Sequence, residues 1–322
     1  MPRWSERLVL LLLAAVLLPG ATSAVLARPT AHAEAAGVII ERYVAPMAAS
    51  SGQSAPAALV PAVPARALYT EVQAIALYGA PNTPIMGALG QYTPDDAARA
   101  VVRLAAEWDA INGDRGAIGV LHLITAVAQP HPMRDGSYLL RLGPESIGEY
   151  VEAARAHGVL LILDVQVGMA EPLAEAQRLE PFLREPFVHL ALDPEFAMHA
   201  NRDVPGKAIG SLDAAQVNPV QRYLAGLVRR ERIPAKTLVL HQFRDDMLTD
   251  TAAYDDLPEV TRIVDMDGWG GQAVKLANYE TFALASYSQR PAIKLFYAWD
   301  EPLLTADDLL ALPRIPDLVI YQ

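Results

Sequence analysis

FVHLALDPEF, residues 187–196, is apolar for most of its length and then ends in two carboxylates, Asp193 and Glu195, on either side of a proline. An apolar run without alternation suits a strand covered on both faces, as in a parallel sheet flanked by helices. Runs of the same character are AIALYG (74–79), AIGVLHLITAV (117–127), VLLILDVQV (159–167), TLVLHQF (237–243), RIVDMDG (262–268), AIKLFYAW (292–299) and DLVIYQ (317–322).

Helix punctuation separates most of them. Thr93 reads as an N-cap, with Pro94 at the first helical position and Asp95 and Asp96 in the first turn, where the positive end of the helix dipole favours them. GPESIGEYVEAARAHG (143–158) opens on Pro144 and closes on Gly158, a left-handed cap. Helices are also predicted over 170–184, 212–231, 278–288 and 305–312, the last with Thr305 and Asp308 spaced as a capping box. The connection 244–261 has no clear pattern. Eight strands alternating with helices predict an α/β fold, a (β/α)8 TIM-type barrel that lacks its last helix; an open doubly wound sheet is the alternative. YGAPNTPIMGALG, after the first strand, lacks the glycine spacing that cradles a dinucleotide or nucleoside phosphate, and no cofactor is expected.

The barrel occupies residues 69–322, close to the ~250 residues typical of the architecture. Ahead of it, Arg3 and Arg7 precede the apolar run LVLLLLAAVLLPGA, and Ala31-His32-Ala33 forms a small-x-small cleavage site, so residues 1–33 read as a signal peptide for export. The run is shorter than the ~20 residues that span a bilayer. Residues 34–68, rich in Ala, Pro and Ser, read as a linker. The chain contains no cysteine, which excludes a lipoprotein anchor and disulfides alike. A net charge of −11 without a Lys/Arg cluster argues against nucleic acid or, after signal cleavage, a membrane as partner.

Active sites of such barrels lie at the C-terminal strand ends. That rule gathers Tyr78, Asp164, Gln166, Asp193, Glu195, His241, Gln242, Asp265, Asp267, Trp269, Tyr297, Trp299, Asp300 and Tyr321. Side chains two apart share a strand face, so Asp164 goes with Gln166, Asp193 with Glu195, and Asp265 with Asp267. A core holding so many carboxylates is costly, whereas a hydrated pocket is not. The opposing reading is that Asp193 caps the turn after its strand and Glu195 is solvated. Aromatic rings beside carboxylates suit a carbohydrate, whose C–H faces stack while its hydroxyls bond to acids. No metal is assigned, because His-x-His, HExxH and cysteine are all lacking, although a hard cation on Asp164, Asp193 or Asp265 stays open.

On VLLILDVQ, HLALDPEF, LVLHQF, RIVDMDGWG and IKLFYAWD the chain resembles secreted bacterial (β/α)8 proteins of glycoside-hydrolase type, and Asp193-Pro194-Glu195 is similar to the Asp-x-Glu that ends the fourth strand of chitinase-like barrels. The resemblance implies a general acid at Glu195 and offers Asp300 or Glu301 as nucleophile. From the residues themselves, Glu195 is expected as general acid, Asp267 as base or nucleophile, and Asp193 and Asp265 as the groups that tune them. The expected function is hydrolysis of a glycan. A non-catalytic carbohydrate-binding barrel and a metal-dependent hydrolase are the alternatives.

Overall fold

The computed structural model describes residues 65–322. The predicted signal peptide, and the linker as far as residue 64, lie outside the described residues. Residues 65–68 of the predicted linker already belong to a helix, α1 (Ala65–Glu71), which leads directly into β1 (Val72–Gly79).

The elements then alternate: α2 (Pro94–Asp109), β2 (Gly116–Ala128), β3 (Leu139–Arg141), α3 (Pro144–His157), β4 (Leu160–Gln166), α4 (Pro172–Arg178), α5 (Glu180–Leu183), β5 (Val188–Asp193), α6 (Ala214–Glu231), β6 (Lys236–Gln242), β7 (Val260–Met266), α7 (Gln272–Asn278), β8 (Arg290–Leu295), α8 (Ala306–Leu310) and β9 (Leu318–Tyr321). All pairings are parallel except β2 with β3, and β1 pairs with both β2 and β9. The sheet therefore closes into an eight-stranded barrel, which sets aside the open doubly wound alternative. β3 is an addition on the far side of β2. No helix follows β9 among the described residues.

Several predicted caps form. Thr93 accepts from the Asp96 amide, Gly158 adopts the left-handed conformation, and Thr305 and Asp308 complete a capping box. The helix expected over 170–184 divides at Leu179, since Pro181 lacks the amide that would bond back to Gln177. The helix expected over 278–288 starts earlier, at Gln272, and ends in a π-turn, Tyr279–Ala283. In the segment 244–261 a bridge from Leu248 to Leu212 and a short 3-10 turn, Thr251–Ala253, precede β7, which begins at Val260.

Helix α1 closes the N-terminal end of the barrel. The Tyr69 hydroxyl lies 2.9 Å from Thr237 Oγ1. Arg115 donates to the carbonyls of Tyr69 and Val72 and to Asp317 Oδ1 at 2.6 Å, joining α1 to the start of β9. On the outside, Gly119 lets α2 approach β2, because a Cβ there would stand 2.9 Å from Val101 Cγ1.

Candidate active site at the C-terminal mouth of the barrel

Residues in parallel register face the same side, so the strand pairings decide which polar groups meet. Tyr78 on β1 is level with His122 on β2, and His241 on β6 is level with Asp265 on β7. The Tyr78 ring meets both imidazoles edge-on, at 5.0 Å from His122 and 6.0 Å from His241. Asp164 on β4 is level with Ala191 on β5, whose small side chain leaves space between Asp164 and β6. One residue beyond the paired Met266 and Ile293, Asp267 meets Lys294 at 2.7 Å.

His241 is the hub of the cluster. Its Nδ1 lies 2.9 Å from Asp265 Oδ2 and 3.3 Å from Asp267 Oδ2, and its Nε2 lies 3.2 Å from Asp164 Oδ2. His122 Nε2 approaches the same Asp164 oxygen only to 3.5 Å and makes no hydrogen bond. Lys294 Nζ sits 3.9 Å above the Tyr78 ring centre, a cation–π contact. His122, Asp164, His241 and Asp265 are fully buried, whereas Glu195 is partly exposed at the rim. A bulge in β2 between Ile124 and Ala126 adjoins the cluster, and Thr125 there donates to the Asp164 carbonyl.

These contacts divide the carboxylates. Burial favours the neutral form of Asp267, but the Lys294 ammonium and His241 overcome it and hold the group below the usual carboxylate range. Burial likewise opposes ionisation of Asp164, yet His241 and His122 hold it well below that range. Asp193 is pushed up to about 7 by burial, reinforced by Asp164 and Asp267. Glu195 is raised well above its ordinary value by burial and then by the charges of Asp193 and Asp267. Burial and Lys294 work against the His241 imidazolium, but its carboxylate partners raise its pKa well above the ordinary value. Burial lowers the pKa of His122.

Local structure holds Glu195 at the rim. Strand β5 ends at Asp193, whose Oδ1 accepts from the Glu195 amide at 2.9 Å, and Pro194 starts a single 3-10 turn. Asp193 is thus both the turn cap and a member of the inward cluster. The Glu195 carbonyl accepts from the Gly210 amide at 2.7 Å, and a Cβ on Gly210 would lie 2.3 Å from the Ala197 carbonyl oxygen. Only glycine permits that closure.

Other expected site residues are engaged elsewhere. Gln242 neighbours the inward His241 and so faces outward, where it accepts from the Tyr287 hydroxyl. Gln166 is buried and accepts from the Ala128 amide. Asp300 is filled by Lys275 at 2.8 Å and by the amides of Gly270 and Phe296, so it clamps the loops after β7 and β8 together. Tyr321 lies on the outer face, taking the Trp108 indole hydrogen bond, and the exposed Tyr297 stacks on it at 5.4 Å. These four side chains, Gln242, Asp300, Tyr321 and Tyr297, are engaged with partners outside the His241 cluster. Glu301 is exposed. Trp269 and Trp299, both half-buried, stand 6.4 Å apart at the mouth.

Sequence reading missed His122 and Lys294. Each is an ionisable residue inside an apolar strand, in GVLHLI and AIKLF, and such a residue requires a partner across the barrel. That interruption is the signal that marks them. The fold and the cluster together define a TIM-type barrel with a buried acid, histidine and lysine centre at its C-terminal mouth. No family model matches the chain, and no curated protein matches it.

Proposed function

We propose that the barrel is an exported hydrolase of glycosidic bonds, with Glu195 as general acid and Asp267 as the base that activates water or as the nucleophile. The observation that carries this reading is the division of labour at the mouth. Glu195, partly exposed at the rim and favoured in its protonated form, feels the charge of Asp267, which is held ionised by Lys294 and His241. Two carboxyl groups pushed in opposite directions by their surroundings are what acid–base cleavage requires.

In this reading Glu195 delivers its proton to the leaving oxygen while Asp267 acts on water or on the sugar carbon. Asp193 fixes Glu195 through its amide, and Asp265 orients His241 against Asp267. Trp269 and Trp299, half-buried and 6.4 Å apart, are the rings assigned in this reading to stack on the sugar. Export rests on Arg3, Arg7 and the apolar run that follows them.

The test is a panel of chromogenic glycosides and soluble polysaccharides assayed with wild type and Glu195→Gln. At least one glycan is expected to be cleaved, and Glu195→Gln is expected to lower turnover on it by at least about 10²-fold with the fold intact. Equal turnover by the two proteins counts against the assignment.

A further inference from the structure

We propose that His122, Asp164 and His241 form a binding site for one divalent transition-metal ion, with zinc the best match to the donor set. The donors are the Nε2 atoms of both histidines and Asp164 Oδ2, and Asp265 serves as the outer carboxylate behind His241. The inference stands independently of glycan hydrolysis.

The first support is geometric. Asp164 Oδ2 lies 3.2 Å from His241 Nε2 and 3.5 Å from His122 Nε2. Donors ~2.1 Å from a tetrahedral zinc are separated by about 3.4 Å, so both distances fit the edges of one coordination tetrahedron. One ligand atom from each of the three residues lies within 4.8 Å of the other two. The fourth position of the tetrahedron is left for water or another oxygen ligand.

A second, separate observation is the poor fit of the same groups to a hydrogen-bonded network. Both imidazoles converge on one oxygen of Asp164, while Asp164 Oδ1, His122 Nδ1 and His122 Nε2 are buried without a hydrogen-bond partner. Orphaned buried polar atoms cost on the order of 1–3 kcal/mol each, which makes a purely structural role expensive. A dication between the three residues uses His122 Nε2 as a donor and balances an excess of carboxylates that Lys294 does not neutralise alone.

The outer contacts agree. The 2.9 Å contact with Asp265 Oδ2 holds a proton on His241 Nδ1, and the imidazolium favoured without metal gives up its Nε2 proton when that nitrogen binds the ion, the usual carboxylate–histidine–metal arrangement. A second grouping, His241 with Asp265 and Asp267, also brings ligand atoms together. There Lys294 already supplies the cation, at 2.7 Å from Asp267. The grouping with His122 is therefore the one that suits a metal.

The test uses the purified chain, stripped with chelator, reloaded with zinc and measured by elemental analysis and titration calorimetry, with cobalt(II) as an optical probe of four-coordination. One zinc per chain is expected, unchanged in His131→Ala, which removes an exposed histidine. His122→Ala and Asp164→Asn are each expected to weaken zinc by at least about 100-fold, beyond the effect of losing an outer partner. Should either fail to fold, Asp265→Asn keeps the side-chain volume and is expected to weaken binding roughly 10–100-fold. Less than one equivalent bound by wild type, or unchanged affinity in the folded variants, overturns the site. Because no glycan enters this measurement, its failure is distinct from failure of the hydrolase reading.

Discussion

Lys294 Nζ lies 2.7 Å from Asp267 Oδ2, a cation and an anion almost wholly withdrawn from water at the C-terminal mouth of the barrel. Burial works against the ammonium, and the Asp267 and Asp265 carboxylates overcome that cost and raise its pKa. Removing one partner leaves the other uncompensated. Lys294→Met is expected to destabilise the chain by about 3–5 kcal/mol, and adding Asp267→Asn is expected to recover part of the loss. Urea unfolding of wild type, both single variants and the double variant measures the coupling, and simple additivity would refute it.

At the opposite end, Asp317 is buried and accepts from Arg115 at 2.6 Å, Arg314 at 2.7 Å and Arg290 at 3.4 Å. Arg115 in turn holds the α1 carbonyls, so this one carboxylate ties α1, β8 and β9 together. Asp317→Asn is expected to cost roughly 3 kcal/mol, and proteolysis is expected to cut near α1 before the barrel unfolds. Wild-type resistance to limited proteolysis in the variant would contradict that role.

Lys236 gives a pH signature separate from the site. Its ammonium is buried and donates to the carbonyls of Glu185 and Val188 at 2.6 and 2.8 Å, and burial lowers its pKa from 10.5 to about 7. Between these values the unfolded chain binds the proton and the folded chain does not. Stability from this residue therefore rises with pH from about 7 towards 10.5, and the full penalty applies below 7. Relative to Lys236→Met, wild type is expected to gain on the order of 2 kcal/mol between pH 7 and 9.5. Parallel pH–stability profiles for the two proteins would rule the effect out.

Export makes a further expectation. Expressed in a bacterial host with its own leader, the chain is expected to leave the cytoplasm and to begin near Glu34, after Ala31-His32-Ala33. N-terminal sequencing of the extracytoplasmic fraction reads this directly, and full-length protein retaining Met1 in the membrane fraction would count against it.

Much of this architecture is written locally. The apolar runs at 159–167 and 187–196 became β4 and β5 because strands covered on both faces need little alternation, and the caps at Thr93 and Thr305 formed because a hydroxyl beside free helix amides meets a local need. The period of two correctly paired Asp265 with Asp267 and set both beside His241. The same period also excludes Gln242, since neighbours on a strand face opposite sides. β3, three residues long, is too short to carry a periodic signal.

What the sequence by itself determined is the class of fold and the end of the barrel at which acids gather, because hydrophobic patterning and capping act over a few residues. Only the closed tertiary structure decided which side chains form the centre. His122 and His241 stand on strands far apart in the chain, and their common approach to Asp164 depends on the register and stagger of the strands between them. Lys294 reaches Asp267 because β7 and β8 pair in one register, and Tyr321 turns to Trp108 because β9 joins β1 in another. Register is a property of strand pairs, and the sequence of one strand does not contain it.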